Sequence, residues 1–307
     1  MKFSTAFAAI SIASVHQLAQ ALPAKRASNS TGGYSPSVIE VLNFALTLEH
    51  LESTFYAQGV QNYTQQDFVN AGLPDFAQGR FKEICDQEAT HVSFLSGVLG
   101  SQAVNACTYN FPVTDPKSFA AFSYMLENVG VSAYSGAAKL LVSDTTYISA
   151  AASILAVEAR HSAWVNSAVL MANPWNSAFD TPLDLNQAYT IASGLITSCP
   201  SNNMALPVKA FPMLTFPSTA QPNQTVQVSF SANTTSSNDL YVAFLSGLTP
   251  TIVPLKNNTV TIPGMLQGVV FALVVNSSNS TSDNVTVAGP SFLSFDYNQM
   301  GQAEIQG

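Results

Sequence analysis

At 307 residues the chain is longer than one typical core needs and suits two domains of ordinary size. It carries 10 basic and 18 acidic residues, for a formal charge of −8, which argues against nucleic acid or anionic membrane surfaces as partners. Charged residues make up only 9% of the chain, so any acid inside an apolar pattern is conspicuous.

In chain order, residues 1–21 combine one lysine, an apolar run and the triplet Ala19-Gln20-Ala21, the pattern of a cleaved secretory signal. Residues 22–34 read as a propeptide and linker, with Lys25-Arg26 as a dibasic processing site; removing Lys2, Lys25 and Arg26 would leave 7 basic residues against 18 acidic ones. No later stretch is apolar enough to span a bilayer, and the tail, residues 296–307, is too polar for a lipid-anchor signal. The expected product has no membrane anchor and is secreted, extracellular or in the cell wall.

From 35 to 199 the apolar period is helical, with helices predicted at 36–59, 75–99, 115–142 and 144–172 and a shorter one at 183–198. Ser37 with Glu40 forms a capping box, Asp75 precedes the second long helix, Asp115-Pro116 starts the third and Asp144 the fourth. Four long helices and a short fifth predict a mainly α fold built on a four-helix bundle. Met171 and Trp164, at helical spacing, are expected in its core. Of three cysteines, Cys107 and Cys199 lie just beyond predicted helices and are the expected disulfide pair; Cys85 falls within a helix as a small hydrophobe.

After a linker at 200–211, short β-branched and aromatic runs separated by Pro, Asn, Ser and Gly predict a small antiparallel β-sandwich at 212–295. Asn-x-Ser/Thr triplets at Asn29, Asn62, Asn223, Asn233, Asn257, Asn276, Asn279 and Asn284 are glycosylation acceptors in a secreted protein, and they crowd into this C-terminal part.

Chemistry concentrates in the helices. Glu88 precedes His91 by three residues and Glu158 precedes His161 by three, so each pair presents an oxygen and a nitrogen to one point on a helix face. The other two long helices offer Glu49 and Glu127, completing the ligand set of a carboxylate-bridged di-metal bundle. Glu52 is an alternative ligand on the first helix. Each of these glutamates is followed by a tyrosine two turns later, Tyr56 and Tyr134, predicted to share the glutamate's face beside the metals. The glutamates stand 78 residues apart and the two Glu-x-x-His pairs 70 apart, as expected of two helical hairpins related by a pseudo-twofold axis. Carboxylate and imidazole ligands with open positions suit two metal ions, Fe preferred and Mn as the alternative. Glu49, Glu88 and His91 are expected to bind mainly one ion and Glu127, Glu158 and His161 the other, with one or more of the glutamates bridging.

The segments "NFALTLEHLESTFYAQG", "EATH", "LENVGVSAY" and "EARH" resemble the ferritin-like superfamily, and within it the secreted fungal ferritin-like proteins of the stress-response or late-sexual-development type, related to plant desiccation proteins. That resemblance covers about residues 36–198. It implies a ferritin-like di-metal bundle with ligands at Glu49, Glu88, His91, Glu127, Glu158 and His161, and a tyrosine at Tyr56. The expected activity is O2- or peroxide-reactive oxidoreduction in stress or development. The alternative is a non-enzymatic stress protein that keeps the bundle as a scaffold and binds a cell-wall component through its β domain.

Overall fold

The computed structural model describes residues 36–142, 144–231, 239–298 and 300–301, without the Thr145 side chain. The expected signal, propeptide and dibasic segment, the triplet asparagines Asn29 and Asn233 and most of the tail lie outside the described residues.

Four long helices form the bundle: α1 (Val38–Asn62), α3 (Ala77–Leu99), α4 (Pro116–Ala137) and α5 (Thr145–Trp164), with a short α2 (Gln65–Asn70) before α3 and α6 (Leu185–Ser193) after α5. α1 packs on α3 and α4 on α5, so the bundle consists of two hairpins. Local chemistry sets most helix starts. Ser37 and Glu40 satisfy each other's backbone N–H groups at α1, and Asp115 accepts from Lys117 and Ser118 at α4, where Pro116 occupies the first helical position. Asp75 does not cap α3, which begins after Phe76 without a side-chain cap. α5 gives way to a π-helical turn at Val165–Val169, so the predicted helix to residue 172 stops early. Met171 follows with a positive φ of 59° and lies exposed, outside the core expected for it, whereas Trp164 packs edge-on against Phe81.

α6 is shorter than the predicted 183–198 helix, because Ile196–Ser198 turns into an extended strand, β2, that pairs with β1 (Thr108–Tyr109). The Cys107–Cys199 disulfide closes this ladder, while Cys85 is free and half-buried on α3.

The C-terminal region is antiparallel. Its main sheet orders β10 (Thr286–Phe295), β9 (Gly268–Val275), β6 (Leu240–Leu245) and β7 (Thr251–Leu255). Two small ladders accompany it, β3 (Leu214–Thr215) with β5 (Ser229–Phe230) and β4 (Thr225–Gln227) with β8 (Thr259–Thr261). The central strand β9 is buried along its whole length. Val269, Phe271, Leu273 and Val275 join the core of the bundle, while Val270, Ala272 and Val274 face a second core shared with Phe216 and Val260. That alternation follows from the two-residue period of a strand, and it makes helices, sheet and small ladders three successive layers. Among the described residues no helix is long and apolar enough to cross a membrane.

Candidate metal centre

All four long helices aim acids inward at mid-length. Glu49, Glu88, Glu127 and Glu158 are completely buried and Glu52 nearly so, with His161 buried and His91 half-buried beside them. Burying five carboxylates with two imidazoles is far more charge than a core tolerates without compensation.

The geometry gathers them into two groups with ligand atoms within 4.8 Å of one another: Glu49, Glu88, His91 and Glu158, and Glu88, Glu127 and His161. His91 Nδ1 lies 3.0 Å from Glu88 Oε2, 3.2 Å from Glu49 Oε2 and 3.8 Å from Glu158 Oε1. His161 Nδ1 lies 3.2 Å from Glu127 Oε2 and 3.1 Å from Glu88 Oε1. Glu88 therefore spans both groups. Glu158 lies with the first group and also within the field of Glu127, so like Glu88 it faces both halves of the centre.

The tyrosines also cross over. Tyr56 on α1 donates to Glu127 on α4 and sits 2.7 Å from Ser123 Oγ, while Tyr134 on α4 donates to Glu49 on α1. Both hydroxyls thus lie beside the candidate ligands, as their shared helix faces predict, but each meets the glutamate of the other helix. Two turns along a helix move a side chain about 10 Å, so the carboxylate within reach belongs to the antiparallel neighbour.

Electrostatics follow burial and pairing. Burial pushes the Glu49 carboxyl up to about 7 despite hydrogen bonds from His91 and Tyr134. For Glu88 burial also pushes upward, but the close His161 and His91 imidazoles outweigh it and hold the group at about 2. Desolvation would lower both histidines; the carboxylates around them, Glu49 and Glu88 for His91 and Glu127 and Glu88 for His161, raise each to about 10 instead. Glu52 and Glu158 are pushed well above the carboxylate range by burial and by the acids around them.

Whether these residues fit a metal pair is tested by their loose ends. Glu52 Oε2 and both oxygens of Glu158 are buried without any hydrogen-bond partner, and Glu88 Oε1 is within ion-pair distance of His161 but not aligned for a hydrogen bond. Such atoms cost about 1–3 kcal/mol each or more when charged, and a cation removes that cost. The residues fit.

Three contributors carry no motif of their own. Gln87 Oε1 accepts from His161 Nε2 at 2.8 Å, which leaves Nδ1 as the atom facing the carboxylates. Ser123 supports Tyr56. At Gly130 an added Cβ would lie 2.1 Å from Glu158 Oε2 and 3.0 Å from Glu52 Oε1, so only glycine leaves room for that carboxylate pair. Gly130 stands 78 residues after Glu52, the offset that relates Glu49 to Glu127; that register was the available signal for it. Glu83 pairs with Arg80 on the exposed face of α3, away from the centre. The asparagines of the Asn-x-Ser/Thr triplets at Asn62, Asn223, Asn257, Asn276, Asn279 and Asn284 are all exposed.

Residues 37–171 match the family model of the ferritin-like domain. The chain is also similar to Protein rds1 of Schizosaccharomyces pombe (strain 972 / ATCC 24843), with 24% identity over 183 residues, 56% of this chain and 42% of that protein; it thus spans less than half of that relative's length.

Proposed function

We propose that this ferritin-like domain with its antiparallel sheet region is a secreted, glycosylated fungal oxidoreductase of stress or development, holding two Fe or Mn ions that react with O2 or peroxide. The observation that supports the reading most is the pair of Glu-x-x-His turns meeting at Glu88 with partnerless carboxylate oxygens around them. Glu49, Glu88, His91 and Glu158 would hold one ion and Glu127 and His161 the other, with Glu88 shared. Bound in reduced form, such a pair supplies two electrons, enough to convert O2 and two protons to hydrogen peroxide.

The chain's own residues prepare that chemistry. Tyr134 and Tyr56 fix the carboxylate planes of Glu49 and Glu127, and Gln87 fixes the His161 ring. The aromatic packing beside Tyr56 keeps water out. Exposed Gln87 and half-buried His91 mark the polar approach for ions and peroxide.

Metal analysis of the mature protein beside a His91→Ala/His161→Ala variant tests the reading. About two Fe or Mn per chain, lost in the variant, supports it; no metal in either protein after anaerobic reconstitution sinks it. The scaffold reading has one observation in its favour, an open cleft of about 680 Å³ with mixed polar and apolar walls between Thr181–Gln187 and Asn279–Asp283 where bundle meets sheet, which could receive a wall polysaccharide.

A further inference from the structure

The bundle contains an apolar cavity of about 20 Å³ whose walls come from all four long helices, among them Leu42, Leu95, Tyr134, Ala151 and Ile154. Its position follows from helical spacing. Ala45 precedes Glu49 by one turn, Phe94 and Leu95 follow His91 by one turn, Ala137 follows Tyr134, and Ile154 precedes Glu158. The cavity is therefore the layer directly beyond the acids, toward the end where α1 and α5 begin. Tyr134 forms the partition, with its ring in the cavity wall and its hydroxyl on Glu49.

By size the cavity exceeds the roughly 10–15 Å³ a single water needs, but a buried water also needs two to four polar partners. The lining is almost entirely apolar: its only side-chain polar atoms are the hydroxyls of Tyr134, which is turned to Glu49, and of Tyr147, and helical backbone groups are already paired. Such cavities stay dry and accept small apolar molecules. The volume excludes an organic substrate of several carbons. It suits a diatomic molecule without dipole or hydrogen bonds, which loses nothing on leaving water.

We propose that this cavity holds dioxygen beside the metal centre, so that O2 arrives through the apolar layer behind Tyr134 while ions and peroxide arrive on the His91 and Gln87 side. The occupant's role rests on the di-metal reading; the cavity's affinity for an apolar gas does not.

The test pairs a binding measurement with a kinetic one. Crystals of the full chain, with and without metal, are pressurised with xenon, and Ala151→Leu and Ala137→Val serve as filling variants. Xenon is expected in the wild-type cavity in both metal states and lost on filling. In stopped-flow oxidation of the Fe(II)-loaded protein, filling should raise the KM for O2 several-fold and lower the ratio of O2-driven to peroxide-driven oxidation to match, with bound metal per chain unchanged. Ordered water in the cavity, absence of xenon, or a folded, metal-loaded filling variant with an unaltered KM for O2 would each overturn the proposal. If the wild type binds xenon but no metal, the function above fails and the gas site stands.

Discussion

The two ends of the acidic centre are related by the 78-residue offset, yet they are packed in opposite ways. Beside Tyr56 the bundle is filled by aromatic rings: Phe55 stacks on Phe119 with centroids 4.7 Å apart, and Phe81 meets Phe119 edge-on at 5.0 Å. The fit is close enough that a Cβ at Gly59 would fall 1.9 Å from the Phe119 ring. Beside Tyr134 the layer is built mainly from alanine, valine, leucine and isoleucine, with Phe94 and Tyr147 also in its wall, and leaves a cavity. Duplicated ligand positions therefore do not imply duplicated access; one end is a seal and the other has room.

Removing the seal should have the largest effect. Phe119→Ala is expected to cost about 3–5 kcal/mol in the metal-free protein by urea denaturation, against at most about 1–3 kcal/mol for the filling change Ala151→Leu at the other end. Equal costs would erase the contrast. At the centre, Gly130→Ala forces a Cβ against Glu158 and should weaken metal binding about 10–100-fold in chelator competition, although alanine at an ordinary helix position gains about 0.5–1 kcal/mol over glycine. The paired tyrosines sharpen the comparison further. Tyr56→Phe, which strands Ser123 as well as Glu127, should reduce metal affinity about 10-fold or more, and Tyr134→Phe less, by the same titration.

The smallest expected effect lies where the Tyr134 end meets the sheet, at Leu183, whose carbonyl lies against Gly136, and at Asp184, the N-cap of α6. Burial and the nearby Asp283 carboxylate raise the Asp184 carboxyl to about 6, against a hydrogen bond from the Gln187 backbone. A carboxyl raised in the folded state favours the protonated fold, so its contribution is full below about pH 3.8 and is lost as pH rises through about 6. Unfolding midpoints from pH 4 to 7 should show that loss in the wild type relative to Asp184→Asn; parallel profiles would remove Asp184 from the account.

The bundle was legible because helix period, caps and the doubled Glu-x-x-His are local. The capping boxes at Ser37 and Asp115 and the antiparallel strands after residue 211 need only short-range chemistry. Less legible were features set by neighbours: Asp75 looks like a cap but α3 starts after Phe76, and Ile196–Ser198 continues a helical pattern yet is drawn into a ladder beside Cys199. The boundary near 200–211 marks a change of texture, not of core, because β9 has one face in the bundle.

By itself the sequence determined which helices form, which residues they carry on their inner faces and that the acids recur at a fixed offset, since a side chain's direction on a regular element depends only on its position along it. Only the tertiary structure decided that Tyr56 serves Glu127 and Tyr134 serves Glu49, that Glu88 and Glu158 are the glutamates facing both halves of the centre, that Gln87 orients His161, and that Gly130 makes room for two carboxylates. Those partnerships join atoms on different helices, and their distances follow from how the helices pack rather than from spacing along any one of them.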